Sequence, residues 1–319
     1  MKLSIIIPTK DRPAVFNSTI LKVIEALQGI DAEVIVVNDS KTSDVFIPES
    51  SADIEIHNNP KSGVASARNF GASIASGDLL LFMDDDILIS KENIITLFHL
   101  HHLYPRAAIN LVWNYPPELL RSIQCTPLGR FLVRYGFTSM KDAMGSEWQE
   151  AKIFETTGTA SFFLFMHQTS FLISGGYNEY FPHAGSDYDF SMRLKEKGIK
   201  KLIHTDSMVY HNELDRINID NWLKRQQNGA ETRAWGFVLG RNELKLNTSY
   251  GKKIVYSCLY ILSPLLFLLY EKTPTAPKFD KLSHRIIHLL LGTVIFKGYK
   301  KGLRDARQHS EKRNAFTLS

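Results

Sequence analysis

Cysteine is scarce in this sequence, with only Cys125 and Cys258 among 319 residues. Two thiols so far apart support neither a disulfide framework nor a zinc cluster. The segment after Met1 also lacks the hydrophobic stretch and the small-residue cleavage site of a signal peptide. We therefore expect the body of the protein to lie in the cytoplasm and to depend on an apolar core for its stability.

Two common nucleotide-binding signatures are also absent. The first apolar run, residues 4–8, is followed by Thr9-Lys10-Asp11. Neither Gly-x-x-x-x-Gly-Lys-Ser/Thr nor Gly-x-Gly-x-x-Gly follows it, which argues against a P-loop kinase and a nicotinamide dehydrogenase. Intrinsic disorder is excluded for most of the chain, because 44% of the residues are hydrophobic and 22% are charged.

Positive charge is concentrated at the C-terminal end of the chain. Residues 249–319 carry 13 Lys/Arg and 4 Asp/Glu, whereas the other 248 residues carry 25 and 29. A nucleic-acid-binding protein would spread its positive charge over a folded face, so nucleic acid is not the predicted partner. The basic tail also contains the longest apolar run, residues 254–270. Charge and apolarity together predict a membrane surface as its partner.

Pro264 interrupts that apolar run, which is at the short limit for a bilayer span. A second, shorter run follows at residues 286–296. We therefore predict two helices that lie in the membrane interface and are anchored by lysines. The alternative is a pair of ordinary helices packed against protein.

The first hundred residues alternate between predicted strands and predicted helices. Strands are predicted at residues 4–8, 33–37, 53–57 and 79–83, and helices begin at Pro13, Ser62 and Ser90. This pattern is typical of an α/β fold with a mostly parallel, Rossmann-like sheet flanked by helices. Right-handed crossovers bring the carboxyl ends of such strands to one edge, so a ligand site is expected there.

The pattern after residue 105 is less regular. Further strands are predicted at residues 107–113, 159–165 and 208–211, and further helices at residues 187–197 and 220–235. Residues 115–145 are expected to form a long excursion over the ligand site. We divide the chain into an α/β domain, residues 1–240, and a basic helical tail, residues 241–319.

Three consecutive carboxylates, Asp84, Asp85 and Asp86, follow the strand predicted at residues 79–83. Their mutual repulsion must be offset by positive charge, and bound Mg²⁺ or Mn²⁺ is the simplest source. The alternative is a solvated turn whose acids cap the next helix. A cation held by carboxylates at a sheet edge usually clamps a diphosphate, so a nucleotide ligand is predicted.

Six motifs occur in the order seen in family 2 glycosyltransferases of the GT-A fold, which this chain resembles over about residues 3–240. They are Ser4-Ile-Ile-Ile-Pro-Thr9, Val36-Val-Asn-Asp39, Gly63-Val-Ala-Ser-Ala-Arg-Asn69, Phe82-Met-Asp-Asp-Asp86, Gly175-Gly-Tyr-Asn-Glu179 and Gly185-Ser-Asp-Tyr-Asp189. The resemblance implies a metal-dependent enzyme that transfers a sugar from a nucleotide-sugar, with UDP as the commonest nucleotide, and inverts the anomeric carbon.

The resemblance also assigns roles in donor binding to individual residues. Asp39 is expected to contact the nucleotide base, and Pro8, Thr9 and Asp11 to line the same pocket. The Asp-x-Asp pair, Asp84 and Asp86, is expected to hold the ribose and the metal-bound diphosphate, with Asp85 between them at the donor. Arg68 is expected to contact the diphosphate; its alternative role is a helix-surface arginine paired with a local acid.

Asp187 is the candidate catalytic base, because it matches the second residue of the family's Glu-Asp pair, although Ser186 replaces the Glu. Inversion needs one carboxylate that accepts the proton of the acceptor hydroxyl. The alternative is an aspartate that only caps the following helix. His211 is expected to complete the metal site with Asp86, and its alternative is a structural histidine.

Two rival functions remain on sequence grounds: a sugar-1-phosphate nucleotidyltransferase and a non-catalytic scaffold that binds nucleotide-sugars. The first would carry a glycine-rich phosphate loop after the first strand, and the second would not need Asp84, Asp86 and Asp187 together. The basic apolar tail favours a saccharide or lipid-linked saccharide acceptor at the cytoplasmic face of the membrane, as in cell-envelope polysaccharide assembly.

Overall fold

A computed structural model describes residues 1–42, 45–50, 52–181, 186–214 and 217–317, apart from the side chains of 186 and 310–317. Runs rich in Ile, Val, Leu and Phe form the strands of this part of the chain. The strands are β1 (Leu3–Thr9), β2 (Ala32–Asn38), β3 (Asp53–Asn58), β4 (Leu79–Met83), β5 (Ile87–Leu88), β6 (Ala108–Asn114), β7 (Ile153–Glu155), β8 (Phe163–His167) and β9 (Lys201–His211).

The helices lie between and after these strands. They are α1 (Pro13–Ala26), α2 (Val64–Ile74), α3 (Lys91–Leu103), α4 (Pro117–Ile123), α5 (Pro127–Arg134), α6 (Met140–Met144), α7 (Gln168–Ser174), α8 (Ser186–Glu196), α9 (Ile219–Val238), α10 (Tyr250–Ile261), α11 (Ser263–Lys272) and α12 (Asp280–Thr317). Pro13 occupies the first turn of α1 and Ser90 caps α3, as the sequence predicts.

The described strands form one sheet in the order β3-β2-β1-β4-β8-β6-β9-β5, and β7 pairs with β9. The four strands β1–β4 pair in parallel, as predicted. The later strands are mixed, because β8 runs antiparallel to β4 and β6, whereas β6 and β9 are parallel. The predicted α/β fold with a Rossmann-like sheet flanked by helices is confirmed, but the sheet is mixed rather than mostly parallel, because β4–β8, β6–β8, β5–β9 and β7–β9 pair antiparallel.

Helices cover both faces of the sheet. Successive residues of a strand point to opposite faces, so Ile5 packs with Phe16 of α1, and Ile6 packs with Ala72 of α2 in a separate core. All seven residues of β1 are buried, including Pro8. Burial on both faces explains why β1 is a continuous apolar run rather than an alternating one.

Two predicted strands have different bounds. The strand predicted at residues 159–165 begins at Phe163, because the carbonyl of Ala160 accepts a hydrogen bond of 2.9 Å from the Asn110 side chain instead of joining the ladder. The strand predicted at residues 208–211 is only the end of β9, which begins at Lys201. Lys201 is buried in the strand. Its ammonium group donates a hydrogen bond of 2.6 Å to the carbonyl of Thr157, which offsets part of the cost of burying the charge.

The segment expected as a long excursion, residues 115–145, contains regular structure that the sequence analysis did not predict. This segment forms the short helices α4, α5 and α6. Thr126 caps α5 by accepting from the backbone N–H of Gly129, and Ser139 caps α6 in the same way from Asp142. Such short polar-capped helices have too few apolar periods to be recognised from sequence.

The described chain divides into two compact units. The first contains the sheet and comprises residues 1–119, 136–180 and 186–214. The second comprises residues 120–135 and the described chain from residue 217 onwards. The predicted boundary between residues 240 and 241 therefore lies inside the second unit, because α9 packs with α12.

Small residues let α9 and α12 approach closely in the second unit. A Cβ added at Gly298 or Gly302 of α12 would lie 2.4 Å from a backbone carbonyl of α9, that of Gln227 or Glu231. Lys301 also donates to Glu231 at 2.8 Å. The backbones touch only because these positions carry no side chain.

The second apolar run of the tail is directed at protein and not at lipid. Ile286, Ile287 and Leu290 are all buried within the second unit. These three residues pack against protein, as the alternative of ordinary packed helices predicts, and are not available to an interface with lipid. The buried stripe on α12 uses the apolar residues that the sequence analysis assigned to the membrane.

The first apolar run forms α10 and α11, and no residue of either helix is buried. No described helix is by itself long and apolar enough to cross a bilayer, whereas α10 and α11 reach that length and composition only as a pair bent by 65°. Pro264 in the first turn of α11 accounts for the break, because it cannot donate the hydrogen bond that would continue α10.

Glycine at position 302 is predicted to be essential for the packing of α12 on α9. Gly302→Ala should destabilise the protein by about 1–3 kcal/mol, because the added methyl group has no space. Gly229→Ala is the matched control, since a Cβ at this α9 position meets nothing within 4 Å. The control should be neutral or stabilise by up to about 1 kcal/mol. Urea unfolding of both variants measures the difference, and equal stabilities would contradict the predicted contact.

Candidate functional site

The carboxyl ends of β1, β2 and β4 meet at one edge of the sheet, as the crossover rule predicts. The backbone N–H of Asp39, just after β2, donates to the carbonyl of Thr9 at the end of β1, at 2.8 Å. The N–H of Asp84, just after β4, donates to the carbonyl of Phe162 at 2.8 Å. These bonds hold the polar residues that follow the strands in place.

Arg12 neutralises two of the three consecutive carboxylates. Its guanidinium lies 2.6 Å from Asp85 and 2.9 Å from Asp86, and Asp85 also accepts a hydrogen bond of 2.7 Å from Thr9. Burial raises the pKa of Asp85, and the charge of Asp86 adds to this effect, whereas Arg12 opposes it. The solvated-turn alternative is wrong, because Asp85 and Asp86 are buried.

Arg12 was missed in the sequence analysis. It occupies the N-cap position of α1, immediately before Pro13, where a side-chain oxygen is the usual choice. A basic residue at that position, in the loop after the first strand, was the available signal. The Arg12 guanidinium therefore provides part of the positive charge that the sequence analysis attributed to a bound cation.

Arg68 connects Asp84 with the candidate base. The residue is 2% exposed, and its Nη2 donates to Asp84 at 2.6 Å while its Nη1 lies 3.7 Å from Oδ1 of Asp187. Burial alone would lower the pKa of Arg68, but the charge of Asp84 raises it, so the guanidinium stays protonated. The helix-surface alternative for Arg68 is therefore wrong.

Asp187 lies in the first turn of α8, as predicted, and its side chain is 33% exposed. Oδ2 accepts a hydrogen bond of 3.2 Å from the backbone N–H of Ser161. The neighbouring Asp189 is bound by Arg193 at 2.9 Å and is buried. Of these two acids, Asp187 is the one that solvent and a substrate can reach. The side chain of Ser186 lies outside the described residues.

The predicted base-binding residues lie together beyond β1 and β2. Asp39 accepts hydrogen bonds from Lys10, Asn59 and the backbone N–H of Gly63, at 2.9, 2.6 and 3.0 Å. Burial alone would raise the pKa of Asp39, but these donors outweigh it and lower the pKa. The Asp39 carboxylate is thus kept ionised and fixed in orientation.

Asp11 and Pro8 differ in what they offer to a ligand. Asp11 is exposed and has a φ of 53° in the left-handed region, and its carboxylate accepts a hydrogen bond from Ser40. Pro8 lies within β1 and is buried. Pro8 therefore shapes the end of the strand, whereas Asp11 presents a polar group beside Asp39.

The last residue of the carboxylate run, Asp86, belongs to a group of three side chains that could hold a metal ion. Ligand atoms of Asp86, His211 and Glu213 all lie within 4.8 Å of one another, and all three residues are buried. Antiparallel pairing of Ile87 with His211 brings the end of β9 beside Asp86. The three donors are two carboxylates and an imidazole, a set that fits Mn²⁺ or Mg²⁺.

His211 is fixed among these acids and aromatic rings. Its Nε2 lies 3.2 Å from Oδ1 of Asp86 and 3.5 Å from Oε1 of Glu213, and its ring stacks on Phe162 with centroids 4.9 Å apart. Burial alone would lower the pKa of His211, but the charges of Asp86 and Glu213 raise it. The structure thus places the two predicted metal ligands together and adds Glu213, which the sequence analysis missed.

The comparisons with known proteins agree with this fold, which is of the GT-A type that the motifs predict. Residues 4–118 match the model of "Glycosyl transferase family 2", so this segment carries the sequence pattern of the family that the motifs predict. No curated protein sequence matches the chain.

Solved structures with the same fold include glycosyltransferases. A mannosyltransferase from Pyrobaculum calidifontis, solved with GDP-Man and Mn²⁺, has a TM-score of 0.52 at 12% identity, covering 99% of this chain and 80% of that one. GalNAc-T7, solved with UDP, GalNAc and Mn²⁺, has a TM-score of 0.50 at 14% identity over 66% of this chain. This chain covers only 43% of the GalNAc-T7 chain. At these identities the likeness establishes the fold.

Removal of the Arg68 charge is predicted to destabilise the protein. Arg68→Met leaves Asp84 and Asp187 without their shared buried cation, and we expect a loss of about 1–3 kcal/mol because both acids keep some contact with water. Lys22→Met, which breaks an exposed pair with Glu25, is the control and should change stability by less than about 0.5 kcal/mol. Denaturant unfolding measures both, and an unaffected Arg68→Met would contradict the role of Arg68 as charge compensation.

Proposed function

We propose that this protein transfers a sugar from a nucleotide-sugar to a saccharide or lipid-linked saccharide, with inversion at the anomeric carbon. The observation that carries the proposal is the position of Asp187, a partly exposed carboxylate joined to Asp84 through the single buried guanidinium of Arg68. The family match and the fold support the same conclusion. UDP is the proposed nucleotide of the donor.

Each part of the donor has a group in the site that suits it. Asp39, fixed by three donors, accepts hydrogen bonds from the base, and Thr9 and Asp11 line the same end of the sheet. Asp84 accepts hydrogen bonds from the ribose, and Arg68 lies beside it to compensate the charge of the diphosphate. Asp86 and His211 would hold a divalent cation, which would supply charge stabilisation for the departing nucleoside diphosphate.

Asp187 acts as the base in this proposal. Its carboxylate accepts the proton of the acceptor hydroxyl while that oxygen bonds to the anomeric carbon and the bond to the diphosphate breaks. The backbone N–H of Ser161 holds Oδ2, so the carboxylate keeps its orientation. Nη1 of Arg68 lies 3.7 Å from Oδ1, so the second oxygen of the carboxylate also faces a fixed group.

The rival functions are less consistent with this geometry. A nucleotidyltransferase would need donors for an attacking phosphate after β1, but this loop carries Asp11 and the acid-bound Arg12. A scaffold would not require Asp187 to stay partly exposed in front of a charge-balanced site. Release of nucleoside diphosphate from a nucleotide-sugar, rather than pyrophosphate, separates a transferase from a nucleotidyltransferase.

Asp187→Asn is the variant that tests the chemistry. Asparagine keeps the shape and the hydrogen bond from Ser161 but cannot accept a proton, so the transfer rate should fall by about 10²–10⁴-fold. Binding of the donor in the presence of Mn²⁺, measured by calorimetry, should be retained. The donor and acceptor are first found by screening nucleotide-sugars for hydrolysis and for transfer to saccharides.

Asp206→Asn is the matched control, because Asp206 is an exposed residue of β9 that forms an ion pair with the surface residue Lys152 at 3.3 Å. Its transfer rate should equal that of the unmodified protein. A transfer rate of Asp187→Asn close to that of the control would show that the base is elsewhere.

We also propose that α10 and α11 bind the surface of a membrane with anionic lipids, which would place the enzyme at the cytoplasmic face. Leu265, Leu268 and Leu269 of α11 are each about half exposed, and the chain carries lysines at both ends of the helix pair. Apolar burial contributes roughly 25 cal/mol per Å², and each basic residue at an anionic surface contributes about 1 kcal/mol. The exposed leucines and the flanking lysines together suit a lipid surface with negative charge.

Co-sedimentation with vesicles of phosphatidylglycerol and phosphatidylcholine tests this attachment. Serine at positions 265, 268 and 269 should weaken binding at least tenfold, because the apolar contribution is lost. Serine at the exposed apolar residues Leu172 and Ile173 of α7 is the control and should bind unchanged. Full-length protein that stays in the supernatant with these vesicles would exclude the attachment.

A further inference from the structure

We propose that Glu213 is a third protein ligand of the metal, so that the protein binds Mn²⁺ or Mg²⁺ before any nucleotide is present. The sequence motifs assign only Asp86 and His211 to this site. Oε1 of Glu213 lies 3.5 Å from Nε2 of His211, on the same side as Oδ1 of Asp86 at 3.2 Å. A single cation can therefore contact all three atoms.

The burial of Glu213 favours a role for its charge. The residue is 4% exposed, and an ionised carboxylate at such a position is costly unless positive charge lies close to it. His211 lies beside both Glu213 and Asp86 and is one source of positive charge for them. Arg12 is bound to the other oxygen of Asp86 and to Asp85. A divalent cation among the three ligands would add positive charge where the ligand atoms of Asp86, His211 and Glu213 lie within 4.8 Å of one another.

Tyr115 positions Glu213 for this role. The Tyr115 hydroxyl donates a hydrogen bond to Oε2 of Glu213, which leaves Oε1 on the side of His211. Tyr115 is itself buried at the end of β6, and its backbone N–H donates to the carbonyl of Thr138 at 2.9 Å. Outer partners of this kind orient metal ligands, and their removal typically weakens metal binding by about 10–100-fold.

The number of protein ligands determines whether the metal binds before the donor or together with it. With two ligands, the cation depends on the diphosphate for the rest of its coordination, so metal and donor bind together. With Asp86, His211 and Glu213, the protein holds the cation by itself and retains it when a nucleoside diphosphate leaves. The relevance of this order to sugar transfer rests on the proposed function, whereas the binding of the metal does not.

Titration of the full-length protein with Mn²⁺, without nucleotide, tests the inference. Calorimetry should give one site per chain for the unmodified protein. Glu213→Gln should bind Mn²⁺ about 100-fold more weakly, and Tyr115→Phe about tenfold more weakly, with unfolding midpoints close to that of the unmodified protein. Glu155→Gln, an exposed carboxylate of β7, is the matched control and should bind as the unmodified protein does.

Two results would overturn the inference. One is an unmodified protein that binds Mn²⁺ only after UDP is added, and the other is a Glu213→Gln variant with undiminished affinity. If Glu213→Gln does not fold, the water relaxation rate of Mn²⁺ bound to the unmodified protein decides, since three protein ligands leave fewer bound waters than two. A failure of the proposed function is distinct, because nucleotide-sugar hydrolysis would then be missing while Mn²⁺ binding still depended on Glu213.

Discussion

Charge balance at the carboxyl ends of β1 and β4 is the constraint on which the site depends. Asp84, Asp85 and Asp86 follow one buried strand, and the last two are themselves buried. Arg12, at the N-cap of α1, and Arg68, within α2, compensate them, and His211 approaches from β9. An uncompensated carboxylate in this place would cost several kcal/mol. The two guanidiniums therefore stabilise this edge of the sheet by compensating the carboxylates.

The mixed half of the sheet brings distant parts of the chain to this edge. Because β8 runs antiparallel to β4, the residues before β8 reach the start of α8, where Ser161 binds Asp187. The pairing of β5 with β9 sets His211 and Glu213 beside Asp86. Binding groups come from the parallel half, and the proposed base and further metal ligands come from strands and loops after residue 160.

Apolar residues of the tail are buried in α12 but not in α10 and α11, a difference that composition alone does not reveal. In α12, small and apolar residues form one stripe that is buried against α9, so its basic residues belong to a packed helix. In α10 and α11 the apolar residues are not buried within the described chain. Only this bent pair therefore supports the proposal of a lipid surface as a partner.

The sequence alone determined the parallel half of the fold and most of the candidate donor site, because buried strands, turn residues and family motifs are local patterns. Asp39, Asp84, Asp86, Asp187 and His211 were all found in this way. Arg12 and Glu213 were not, since each acquires its role from partners more than 70 and more than 120 residues away. Nor could composition distinguish the buried stripe of α12 from the exposed one of α10 and α11. Tertiary structure decided these points, because which carboxylates share a cation and which apolar face meets protein depend on contacts between segments distant in the chain.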